Sequence, residues 1–190
     1  MANPISQYQT RAAIQYDERP ERVYDPMLYL IEISLMLAVG ARAPEFTLPD
    51  QDGRDTSLTT LLNHGPLVLF FYPADFTPGC TKEVCMMRDL HSEIVARGLN
   101  VAGISPQGAQ SHRGFRAKHN LPFRLLSDPG KAVVAMYEVM GPLGFGVRRA
   151  TYLIDPSRHV RDAVLADFRI ARHEDFVRRA MALNSSHTHS

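Results

Sequence analysis

Two apolar runs dominate the pattern, Leu67–Tyr72 and Leu99–Ile104. Their length and flanking turn residues predict strands buried on both faces. Between them Val84, Met87, Leu90, Ile94 and Val95 recur at three- and four-residue spacing, which predicts a helix over Thr81–Arg97 with Gly98 at its stop. Upstream, Glu45–Leu48 reads as a short strand and Pro49–Gly53 as a turn. A second extended segment leads to Ser57, the N-cap of a brief helix over Leu58–Leu62. Downstream the pattern predicts a helix over Gly108–His119, an extended Pro122–Leu126 and a helix over Lys131–Tyr137. A strand over Thr151–Ile154 then turns at Asp155–Ser157 into a partner over His159–Leu165, and a last helix covers His173–Leu183. Buried strands joined through helices predict an α/β sheet covered on both faces.

Three regions follow. Residues 1–37 are an extension, 38–183 one domain and 184–190 a polar, flexible tail. Two origins of the extension stay open: an upstream addition from a misplaced start, or an arm packing on the domain or another subunit. Its apolar run, Met27–Gly40, contains Glu32 and is shorter than the roughly 20 residues that cross a bilayer. The acidic residues ahead of it argue against a signal peptide, so a cytoplasmic protein is expected. With 190 residues, 45% hydrophobic, the chain can bury an ordinary globular core. Its net charge of +1 supplies no field to gather nucleic acid or a membrane surface, so neither is expected as a partner. Two cysteines exclude a disulfide-rich scaffold and a four-cysteine zinc site. In a reducing compartment a close pair is expected to be reactive.

The chemistry concentrates in Leu67–Asp89. A buried strand ends at Tyr72, a loop follows, and Cys80 falls in the first turn of a helix. Free N–H groups and the dipole at a helix start favour an anion, and a thiol placed there favours its nucleophilic thiolate form. Pro73 and Pro78 stiffen the loop, and Gly79 permits close backbone approach. Thr77, three residues before Cys80, can place a hydroxyl beside the sulfur, where it can donate to the thiolate or to a bound oxygen atom.

Pro73, Thr77 and Cys80 in PADFTPGC match the P-x-x-x-[TS]-x-x-C signature of peroxiredoxins, the AhpC/TSA family. VGARAPEFTLPDQDG, LLSDPGKAV and RRATYLIDPSRHV resemble that family's opening, middle and later strand pair, over about residues 38–183. TPGCTKEVC resembles its bacterioferritin comigratory protein, or PrxQ, branch. The resemblance implies a thioredoxin-like fold: a central mixed sheet flanked by helices, with an N-terminal β-hairpin. It implies reduction of hydrogen peroxide and organic hydroperoxides without metal or other cofactor. Cys80 would be the peroxidatic cysteine and Cys85 the resolving one. Thr77 would bond the peroxide, Pro73 shield the site, Arg149 serve as the active-site arginine and Glu83 orient it. Thioredoxin would be the reductant, and the protein a monomer or weak homodimer.

Two residues five apart on a regular helix have Cα atoms about 8.6 Å apart and point about 140° away from each other. A disulfide needs about 7 Å or less, so a Cys80–Cys85 bond requires the helix start to unwind. Arg148 is expected to face away from Arg149, and Arg88 is a weaker candidate for the same role. Leu143 and Phe145, in the glycine-rich stretch Gly141–Gly146, are candidates for the wall of a peroxide pocket. His187 and His189 are expected to be solvated. Two rival functions use the same cysteines: a thiol–disulfide oxidoreductase, and a redox sensor that passes oxidation to a partner.

Overall fold

The computed structural model describes residues 36–185. Strand β1 (Thr47–Pro49) pairs antiparallel with β2 (Asp55–Ser57) as a separate hairpin. Its turn closes on Asp50, whose Oδ1 accepts from the N–H groups of Asp52 at 2.8 Å and Arg54 at 3.0 Å. Helix α1 (Leu58–Leu62) starts as its sequence predicts, with the Ser57 hydroxyl accepting from the Thr60 N–H at 3.0 Å. The remaining elements are β3 (Leu67–Phe71), α2 (Pro78–Ala96), β4 (Asn100–Ser105), α3 (Ala109–His119) and β5 (Arg124–Ser127). They are followed by α4 (Ala132–Met136), β6 (Ala150–Ile154), β7 (Val160–Leu165) and α5 (Ile170–Ser185).

Among the described residues five strands form one sheet in the order β5-β4-β3-β6-β7. β3 lies at its centre, parallel to β4 and antiparallel to β6, so the sheet is mixed. Every residue of β3 is buried, because alternate side chains enter different layers. Leu67, Leu69 and Phe71 pack with Leu58 and Leu61 of α1 and with Val133 and Val134 of α4. Val68, Phe70 and Tyr72 pack with Val84, Met87 and Ile94 of α2, Phe115 of α3 and Phe176 of α5. Met36 and Leu37 already pack on the first layer. The rest of the predicted extension, 1–35, and the two tail histidines lie outside the described residues.

Helix ends differ from the sequence pattern where caps decide them. α2 begins at Pro78 rather than Thr81, because proline's fixed φ suits the first helical position and costs no hydrogen bond there. It stops as predicted: Gly98 takes φ +71°, and the Leu99 N–H returns to the Ile94 carbonyl at 3.1 Å. α5 begins at Ile170 and runs through Ser185, past the predicted His173–Leu183. Asn184 and Ser185 therefore belong to the helix and not to the tail. Asn184 holds this last turn by donating to the Arg97 carbonyl at the end of α2. No helix among the described residues is long and apolar enough to cross a membrane.

Candidate active site

β3 delivers the chain to Tyr72, whose N–H bonds the Ile104 carbonyl at 3.1 Å, and Pro73 opens the loop to α2. Phe76 reverses this loop in the left-handed region, at φ 60°. Its ring is held 5.0 Å from that of Phe115 on α3. Beneath it Asp75 is buried. One carboxylate oxygen accepts from the Tyr72 hydroxyl at 2.8 Å. The other accepts from Ser111 at 2.7 Å and from His112 Nδ1 at 2.9 Å. His112 Nε2 lies 3.2 Å from the Leu126 carbonyl. Both ring nitrogens thus face oxygens, and the fully buried imidazole bridges Asp75 and β5. Burial pushes the Asp75 carboxyl up, but hydrogen bonds from His112, Ser111 and Tyr72 and the His112 charge outweigh it and hold it below the usual range. This network ties the loop to α3 and β5.

Thr77 is the N-cap of α2, and its carbonyl accepts the first helical bond from Thr81 at 2.8 Å. Its hydroxyl donates to the Ala74 carbonyl at 3.1 Å. A hydroxyl has one proton to give, so in this state Thr77 secures the loop and does not donate to the sulfur as the sequence suggests. No side chain caps the first turn of α2. The N–H groups of Gly79 and Cys80 precede Thr81, the first residue with an intrahelical acceptor, so Cys80 belongs to the turn whose N–H groups are free. Cys80 is only 1% exposed, beneath exposed Thr77, Pro78 and Gly79.

The register of β3 against β6 sets Phe71 opposite Ala150, which brings Arg149 to the end of the sheet where the loop leaves. Arg149 Nη2 donates to Cys80 Sγ at 3.4 Å, while Nη1 donates to Glu83 Oε2. Asp167 fixes the base of this arginine, accepting from its backbone N–H at 2.9 Å and, through its own carbonyl, from Nε at 3.3 Å. A Cβ at Gly79 would lie 3.1 Å from Arg149 Nη2, so glycine admits the guanidinium at this point. Burial opposes the arginine's charge, but Glu83 and the Cys80 sulfur outweigh it, and the guanidinium holds its proton more firmly than usual. Arg148 turns away, as expected, to a two-pronged contact with Asp167 at 2.9 and 3.1 Å. Arg88 donates to Asp89 and to the His119 carbonyl, so it takes no part at Cys80.

Glu83 lies one turn beyond Cys80 and is fully buried. Burial raises its carboxyl to about 7, with the charge and hydrogen bond of Arg149 pulling the other way. Its Oε1 is 3.8 Å from His173 Nδ1. Burial pushes His173 down to about 4. The ring is therefore neutral, donating from Nε2 to the Ala166 carbonyl at 3.0 Å and accepting at Nδ1 from the Thr151 hydroxyl at 2.9 Å.

Cys85 is a half-buried free thiol on the same continuous helix, with Sγ 3.8 Å from His119 Nδ1. Leu143, inside a short 3₁₀ turn, and Phe145, at its end, are 95% and 77% exposed, an open surface and not an enclosing wall. The structure thus brings Cys80, Glu83 and Arg149 into contact. It adds Asp75, His112, Asp167, His173 and His119, which the sequence did not single out. A buried charge demands a partner, and the short polar step Ser111-His112 before Phe115 was a usable signal. Nothing local pointed to the others.

The model of the AhpC/TSA family matches residues 39–163. A putative peroxiredoxin bcp from Coxiella burnetii is 43% identical over 127 residues, which cover 64% of this chain and 83% of the relative. The crystal structure of peroxidoxin BcpB from Mycobacterium tuberculosis superposes with TM-score 0.72 at 38% identity, covering 76% of this chain and 96% of that one. A bacterioferritin comigratory protein from Xanthomonas campestris, studied for alkyl peroxide reduction, superposes with TM-score 0.65 at 31% identity, covering 75% and 91%.

Proposed function

The chain belongs to the AhpC/TSA family and is a thiol-dependent peroxidase, and on that premise we propose that Cys80 is its peroxidatic cysteine and Cys85 its resolving one. Its substrate is a hydroperoxide and its reductant a thiol. The observation that carries the assignment is the 3.4 Å contact between Arg149 Nη2 and Cys80 Sγ at an uncapped helix start. A fixed guanidinium and free backbone donors favour negative charge on this sulfur, and thiolate is the attacking form.

The thiolate attacks one peroxide oxygen in line with the O–O bond. A sulfur–oxygen bond forms, the oxygen–oxygen bond breaks, and charge grows on the leaving oxygen. Arg149 is placed to donate to that charge as its bond to sulfur weakens. Glu83 and Asp167 hold the arginine, so little reorganisation is needed at the moment of reaction. Pro73 starts the loop that shields the sulfur, and Thr77 meets the peroxide only by releasing the Ala74 carbonyl. The product is a sulfenic acid on Cys80 and water or an alcohol.

Attack by Cys85 on that sulfenic acid yields the disulfide. Both cysteines lie on α2, so its first turns must melt for the sulfurs to meet. The loosened disulfide then passes to a dithiol reductant, thioredoxin in this reading, in the cytoplasm. The test is peroxide consumption with thioredoxin and its reductase. Cys80→Ser is expected to abolish turnover. Cys85→Ser is expected to keep the first oxidation and lose the intramolecular disulfide. Retained turnover in Cys80→Ser refutes the assignment.

A further inference from the structure

We infer that His119 is the general base for the resolving step, taking the proton of Cys85 as its sulfur attacks oxidised Cys80. The inference rests on the reading of Cys85 as the resolving cysteine and adds the group that activates it. His119 Nδ1 lies 3.8 Å from Cys85 Sγ, within reach of an S–H···N bond. Both side chains are half-buried, so the proton can reach solvent once transferred. The imidazole is fixed by its neighbours. Its ring lies edge-on to Phe115 at 5.0 Å, and the backbone carbonyl of His119 accepts from Arg88 Nη1 at 3.0 Å. Arg88, on α2, adds positive charge that acts on the Cys85 sulfur, tempered by its own pairing with Asp89 at 2.7 Å. Of the other cations in the last turn of α3, Lys118 is turned to the Phe76 ring at 5.6 Å and Arg116 donates from Nε to the Phe123 carbonyl at 3.2 Å.

The base belongs to α3, which is not the segment that must melt. α3 stays anchored through His112 and Phe115 while the start of α2 unwinds. Cys85 is thus primed from outside the moving part. The step balances as follows. Cys85 S–H gives its proton to Nδ1, and its sulfur electron pair forms the S–S bond. The S–O bond of the Cys80 sulfenic acid breaks, and hydroxide leaves and collects the proton as water. Cys85 is oxidised and Cys80 reduced.

An ordinary thiol is about 3% ionised at pH 7. A base that removes this limit accelerates resolution by up to about 30-fold at pH 7 and by little above pH 9. The experiment follows disulfide formation after one equivalent of hydrogen peroxide, by rapid acid quench and mass spectrometry, from pH 6 to 9.5. His119→Ala and His119→Gln are expected to slow resolution about 10- to 30-fold at pH 7 and to converge on wild type above pH 9. Imidazole added to His119→Ala is expected to restore the rate, which a merely structural role would not allow. The first oxidation of Cys80 is expected to be unchanged, which also reports an intact fold. Wild-type resolution by both variants at pH 7, with the disulfide still lost in Cys85→Ser, overturns the role of His119 and leaves Cys85 as resolving. A wild type that forms no Cys80–Cys85 bond overturns the reading of Cys85, and the base with it.

Discussion

Replacing Glu83 by glutamine tests the electrostatics of the site in one step. Burial raises this carboxyl from 4.5 to about 7 in the folded chain. A carboxyl that binds its proton more tightly when folded contributes stability while it is protonated. That contribution is complete below about pH 4.5, drains as the pH rises, and is gone above about pH 7. The span corresponds to about 3 kcal/mol. Glutamine keeps the shape, and its amide oxygen still accepts from Arg149 Nη1, but it has no proton to lose. Carboxyls held low in the fold, such as Asp75 and Asp155, tilt the total curve the other way. The informative quantity is therefore the difference between wild type and Glu83→Gln. Urea unfolding of the reduced proteins from pH 4.5 to 8 is expected to show wild type losing about 3 kcal/mol relative to the variant. Oxidation of Cys80 at pH 7 is expected to stay within about tenfold of wild type, because Asp167 still fixes the arginine. A difference that is flat, or that grows in favour of wild type as the pH rises, refutes the reasoning.

Three further outcomes follow from the site. Arg149→Ala is expected to slow peroxide oxidation of Cys80 about 10²- to 10³-fold in stopped-flow competition, the usual cost of losing a donor aimed at developing charge; a loss under tenfold contradicts its role. Asp75→Asn removes the buried carboxylate that accepts from Tyr72, Ser111 and His112 and is expected to cost about 2–3 kcal/mol at pH 7 in urea unfolding. Asp75 is held below its usual value, so wild type keeps this contribution above about pH 4 and loses it as the pH falls further; a cost under about 1 kcal/mol at pH 7 shows that the carboxylate does not hold the network together. Hydrogen exchange on peroxide-treated protein is expected to show the amides of Thr81–Cys85 losing protection while those of α3 keep theirs. Equal protection in both redox states would rule out melting of the helix start.

Patterning along the chain determined much of this protein by itself. Runs buried on two faces, helical spacing and cap residues are local signals, and they placed the central strands, the stop at Gly98 and Cys80 in a first turn. The P-x-x-x-T-x-x-C spacing pointed to the sulfur proposed to react because a loop, an N-cap and a helix start are all local. Tertiary structure alone decided the sulfur's company. Arg149 reaches Cys80 from 69 residues away through the β3–β6 register, and Asp75 meets a histidine 37 residues on. It also turned the Thr77 hydroxyl to Ala74, carried α5 through Ser185 and set His119 beside Cys85. Such choices depend on register, twist and rotamer, which couple residues far apart in sequence, and a pattern of polar and apolar positions fixes only which way each side chain faces.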